Sequence, residues 1–133
     1  MKGYVDDIES LTEENSNFRK VVYTGNHLQL VVMSLKPGED IGEEVHGKVD
    51  QFFRVEEGSG KIVMDGEETE FSEGFAIVVP SGVMHNLFNT GDGDLKLYTI
   101  YTPANHIDGI IHVTREDAMA DEEDEAFSEK VNA

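Results

Sequence analysis

Gly74-Phe75-Ala76-Ile77-Val78-Val79-Pro80-Ser81-Gly82-Val83-Met84-His85-Asn86-Leu87-Phe88-Asn89 is the stretch whose reading decides the fold. A short apolar run enters a Pro-x-Gly turn and leaves it with a histidine, the pattern of two β-strands joined by a tight corner. Upstream, between Gly38 and Gly58, Glu44 and His46 stand two residues apart, a spacing that points both to one face of a strand. Gln51 opens an aromatic run and shares a face with Phe53 and Val55. Two strands so placed aim Glu44, His46 and Gln51 at one point, with His85 arriving from a third.

Further strand-like segments are expected at Phe18 to Thr24, His27 to Leu35, Val49 to Glu56, Lys61 to Met64, Glu68 to Phe71 and Leu95 to Thr102. Turn residues separate them, most clearly Asp65-Gly66, whose two-residue hairpin requires positive φ at both positions. Short strands at this spacing predict an all-β sandwich or barrel. Before them, Val5, Ile8 and Leu11 at helical spacing suit a short helix or arm that docks on the barrel. After them, Thr114 offers a helix N-cap ahead of Glu116 and Asp117. The run Asp121 to Glu125 repels itself, so the C-terminal helix is expected to fray into an acidic tail.

The two motifs resemble those of the cupin family. Gly74, Pro80, Gly82, His85 and Asn89 match the second cupin motif at every fixed position. Gly38, His46 and Gly58 keep the spacing of the first, with Glu44 in place of its first histidine and Gln51 in place of its glutamate. The resemblance implies a single cupin β-barrel, a double-stranded β-helix or jelly roll. Around it are expected an N-terminal arm over residues 1–17, a barrel over 18–113 and an acidic C-terminal helix or tail over 114–133. It also implies that Glu44, His46, Gln51 and His85 hold a divalent metal ion: Mn, Fe, Zn, Ni or Co. Oxygen-rich sets shift preference toward Mn and Fe(II). The alternative is a decayed site in which His85 is a hydrogen-bonded core residue. Against it, a Glu44 buried beside Gln51 without a cation would carry a large desolvation cost.

Composition excludes other chemistries. The 133 residues suit one domain, and without cysteine there is neither disulfide nor thiolate metal site. A formal charge of −18 with no basic cluster argues against nucleic acid and anionic membranes as partners. The N-terminus lacks a signal peptide's apolar core and no run reaches membrane-span length, so a soluble cytoplasmic protein is expected. Neither a nucleophile elbow nor a phosphate-cradling glycine loop is present, which leaves the metal as the chemical handle.

Candidates for proton transfer are His106, Tyr98 and Tyr101. The two tyrosines lie on opposite faces of the last long strand, so at most one lines the cavity. His106 and His112 flank Asp108-Gly109 and read as loop residues, unless the chain folds back over the mouth and brings His106 to the substrate. His27 reads as an ordinary surface residue, Arg54 as a surface ion-pair partner, and Arg19 receives no chemical role. Outward-facing Phe52 and the family's habit predict a homodimer. The function expected from the resemblance is isomerisation of a small-molecule substrate, a sugar or a keto or hydroxy acid, as in cupins similar to mannose-6-phosphate isomerase. An Fe or Mn dioxygenase and a non-catalytic sugar-binding module are the alternatives.

Overall fold

Alternating apolar residues and glycine-rich turns give nine strands, framed by helices, in the computed structural model, which describes residues 1–133. The order is α1 (Ile8–Glu14), β1 (Arg19–Thr24), β2 (Gln29–Leu35), β3 (Asp50–Glu57), β4 (Gly60–Met64), β5 (Glu67–Phe71), β6 (Ala76–Val79), β7 (His85–Asn89), β8 (Leu95–Thr102), β9 (Ile111–His112), α2 (Arg115–Ala120) and α3 (Glu122–Val131). A six-stranded antiparallel sheet, β6-β3-β8-β2-β1-β9, combines with a three-stranded one, β5-β4-β7, into a jelly roll.

Period-two patterning decides what enters the barrel. Along β3, Gln51, Phe53 and Val55 are buried while Phe52 and Arg54 face outward. Along β8 the inward set is Leu95, Leu97, Thr99 and Tyr101. The apolar ones among these side chains join Val31, Ile62, Phe71 and Leu87 in one core, where each fully buried large apolar residue contributes about 1.5–3 kcal/mol. Asp65 (φ 48°) and Gly66 (φ 84°) both adopt the left-handed conformation that the hairpin between β4 and β5 demands.

Strand positions follow the sequence reading to within a residue or two, but β9 is too short to announce itself. It pairs with β1 and places His112 opposite Arg19. The N-terminal arm docks through α1, whose N-cap Asp7 accepts from Ser10 N and whose Thr12 is buried. The ammonium of Lys96 donates to the Asn15 carbonyl and ties the arm to β8. At the other end, Thr114 forms the expected N-cap, as a capping box with Asp117.

The acidic run does not fray. Asp121 caps α3 by accepting from Asp124 N, and Glu122, Glu123, Asp124 and Glu125 fill the first turn, where the helix end attracts negative charge. That placement offsets their mutual repulsion, and α3 continues to Val131. No helix is long and apolar enough to cross a membrane.

Candidate metal centre

The segment carrying Glu44 and His46 is not a regular strand. It touches β7 through single bridges, Asp40 to Phe88 and Glu44 to His85. Glu44 N donates to His85 O and His85 N to Glu44 O, each at 2.9 Å, so the two residues are clamped face to face. Gly82, free to sit at φ 86°, donates its N–H to His46 O at 2.7 Å and fastens the second motif's turn to the first motif. Asn89 completes the frame: its amide donates to the carbonyls of Leu35 and Gly93. The motif residues other than Glu44, His46, Gln51 and His85 are thus architectural.

This frame brings ligand atoms of Glu44, His46 and His85 within 4.8 Å of one another. His85 Nδ1 lies 3.0 Å from the Val83 carbonyl, which can only accept. Nδ1 therefore carries the proton, and Nε2 presents a lone pair. His46 Nε2 stands 3.0 Å from Glu44 Oε2 but is buried without an aligned hydrogen-bond partner. Gln51, 2% exposed, donates Nε2 to Thr99 Oγ1 at 3.0 Å, which leaves its buried Oε1 with no partner at all. Leaving a polar atom buried and unpaired costs about 1–3 kcal/mol. A carboxylate and two imidazoles whose ligand atoms converge are a donor set that could hold a divalent metal, and the unpartnered Gln51 oxygen is a further buried acceptor without a donor.

Glu44 departs from the expectation that it is buried: its side chain is 36% exposed. The buried polar atom left without any partner is the Gln51 oxygen instead. Partial withdrawal from water pushes the Glu44 carboxyl up, but the hydrogen bond and charge of the adjacent His46 ring, with smaller help from Arg19 and His106, outweigh this and hold it below the usual carboxylate range. Burial, partly opposed by the Val83 hydrogen bond, lowers His85 below the usual imidazole range. Both shifts favour the forms that donate electron pairs at neutral pH.

A cavity of about 400 Å³ opens beside the cluster, lined by Glu44, His46, His106 and Arg19 from the barrel and by residues of α3. Its size suits a small molecule. His106 does sit in the loop between β8 and β9, but that loop turns it inward: it is 5% exposed, with Nδ1 2.7 Å from Asp124 Oδ2 and Nε2 3.2 Å from the Tyr101 hydroxyl. Tyr101 lies edge-on to the His46 ring at 6.0 Å, whereas Tyr98 faces outward beside Phe52. His112 is buried too, held between Arg19 and Asp121. His27 is exposed, and Arg54 pairs with Glu56 at 3.2 Å, as read from the sequence.

Arg19 and Asp124 escaped the sequence reading. Arg19 has a detectable signal, since it alternates with Val21 on the inward face of β1. Asp124 is one acid among many, and only its contact with His106 distinguishes it.

The barrel is that of a cupin, with a donor cluster that could hold a metal ion at the position of the cupin motifs, and comparison with known proteins agrees on the fold. The Cupin domain family model matches residues 31–101, so the chain belongs to the cupin family. YrkC of Bacillus subtilis (strain 168) is 44% identical over 128 residues, which are 92% of this chain and 69% of that protein. The crystal structure of BH2720 from Bacillus halodurans superposes with a TM-score of 0.88 at 44% identity, covering 90% of this chain and 95% of that one. A weaker match, 31% identical over 80 residues, covers 60% of this chain and only 17% of the mannose-1-phosphate guanylyltransferase of Salmonella montevideo.

Proposed function

We propose that this chain is a small metal-dependent enzyme that isomerises a sugar or a keto or hydroxy acid by moving a proton beside a carbonyl. The observation that carries this reading is the convergence of Glu44, His46 and His85, with the unpartnered oxygen of Gln51 offered as a fourth donor. A divalent ion held by these side chains would supply Lewis-acid polarisation of a carbonyl oxygen.

The chain's own residues handle the proton. Asp124 accepts Nδ1–H of His106, which fixes the tautomer and leaves Nε2 to accept from the Tyr101 hydroxyl. Burial raises the Tyr101 hydroxyl well above its ordinary range, so it stays a phenol and holds the His106 ring from the barrel side. His106, which lines the cavity while Tyr101 does not, takes a proton from substrate carbon at Nε2, the Tyr101 hydroxyl turning to accept from the ring, and returns it to the neighbouring carbon. Asp124 stabilises the imidazolium formed between the two steps.

The sugar part of this reading is supported by the similarity to a sugar-phosphate enzyme, and the acid part by Arg19 in the cavity wall. Two histidines and one carboxylate are also the donor set of oxygen-activating Fe(II) sites, which favours a dioxygenase as the second reading. We place the homodimer on the outer face of β6, β3, β8 and β2, where strand register sets Val78, Phe52, Ile100 and Leu30 side by side.

Deuterium uptake from solvent tests the proposal. Protein loaded separately with Mn, Zn or Fe(II) is incubated with aldoses, ketoses and 2-oxo acids and followed by proton NMR. Exchange beside the carbonyl, lost in His106→Gln, is expected. Oxygen consumption with Fe(II) alone would favour the dioxygenase, and saturable binding without exchange would leave a binding module.

A further inference from the structure

Arg19 opens β1 on its inward face, is 4% exposed, and lines the cavity beside Glu44, His46 and His106. No carboxylate forms an ion pair with it. Its Nη1 donates to His112 Nδ1 at 3.3 Å, and its Nε is buried without a partner. Because His112 Nδ1 accepts, the proton on that ring sits on Nε2, which donates to Asp121 at 2.9 Å. His112 is therefore a neutral support that orients the guanidinium.

A guanidinium is charged at every physiological pH, and removing it from water without a counter-ion is costly. We propose that the missing counter-ion is the substrate's carboxylate, and that Arg19 is a binding residue for a small keto or hydroxy acid, sugar acids included. This narrows the substrate class of the isomerase reading above and rests on it.

The acids around Arg19 do not take its place. Asp121 and Asp124 are committed to His112 and His106, and Glu44 belongs to the donor cluster. Glu43, Glu125 and Glu129 also line the cavity, but they are exposed and screened by solvent. They repel an incoming anion weakly, while the buried guanidinium acts at short range. Arg19 is also the only Lys or Arg in the lining. One planar fork matches one planar carboxylate; a dianionic phosphate would be left with half its charge unmatched.

The test titrates metal-loaded full-length protein with pyruvate, glycolate, mannose and inorganic phosphate by calorimetry, in wild type, Arg19→Gln and Arg19→Lys. Wild type is expected to bind the two carboxylates. Arg19→Gln should weaken them at least about tenfold with metal affinity unchanged, and Arg19→Lys, which keeps charge but loses the fork, should fall between. Carboxylate affinity unchanged in Arg19→Gln, or a preference for mannose or phosphate, overturns the assignment. Circular dichroism checks folding, and Arg19→Lys carries the test alone if Arg19→Gln does not fold. Should wild type take up no metal, the metal reading falls by itself, and the same titration of metal-free protein still decides the role of Arg19.

Discussion

Gln51 is the residue at which stability and site chemistry conflict most clearly. Its Oε1 is buried and unpaired, at a cost of about 1–3 kcal/mol. Gln51→Leu removes that atom at similar volume, and Thr99 can turn its hydroxyl toward a strand carbonyl. The metal-free variant should therefore match or exceed wild type in stability, by up to about 1 kcal/mol, while the rise in Tm on adding Mn or Zn shrinks. Urea unfolding with and without metal checks both halves; a marked loss of metal-free stability with an intact metal increment would speak against a ligand role. Gln51 was legible in the sequence because it alternates with Phe53 and Val55, and a polar residue on an apolar face demands a reason. Arg19 was harder, since an arginine at a strand's first position usually faces water. Its burial depends on β9 and His112, which lie more than ninety residues away in sequence.

At the scale of elements, α3 is held across the cavity by a few polar contacts. Asp124 accepts from His106 Nδ1 and Ile107 N, while Ser128 and Asn132 donate to Asn105. Asp124→Asn keeps the shape but has only one acceptor oxygen for two donors. It should destabilise the protein by about 1–3 kcal/mol and speed hydrogen exchange in α3 ahead of the barrel strands. Unchanged exchange in α3 would mean that its docking rests on other contacts.

The same pair predicts a pH response. Burial, reinforced by Arg19, lowers His106 below its ordinary value, and His106 with its neighbours lowers Asp124 against the opposing effect of burial. In both cases the unfolded chain binds protons more readily. Their contribution to stability is therefore complete above pH of about 6.5 and declines below it as His106 protonates; a second decline begins below about 3.9 as Asp124 protonates. Unfolding from pH 7.5 to 4.5 in moderate salt, where the Debye length is about 8 Å, separates this from relief of the −18 charge. His106→Asn should flatten the upper decline; a wild-type profile that rises toward acid in that salt would contradict the assignment. The acids of α3 read in the sequence as a fraying, self-repelling tail, and their docking was not legible because it depends on a histidine from another segment.

For the whole molecule, the barrel was legible because its turn glycines, Pro80 and Asn89 do architectural work that fixes their spacing. The donor cluster was legible because Glu44, His46 and His85 ride on that framework. Assembly is less directly encoded: Val78 is 61% exposed on edge strand β6, next to half-buried Phe52 and Ile100. Light scattering at micromolar concentration should give a dimer for wild type and a monomer for Val78→Glu; a monomeric wild type would leave that face without a partner.

We propose that these donors hold a metal ion. Elemental analysis of tag-free protein purified without added metal or chelator, beside His85→Ala, tests it most directly. Near one equivalent of Mn, Fe, Co, Ni or Zn per chain in wild type, lost in the variant, is the predicted result. Wild type that holds no metal, even after reconstitution, would contradict it.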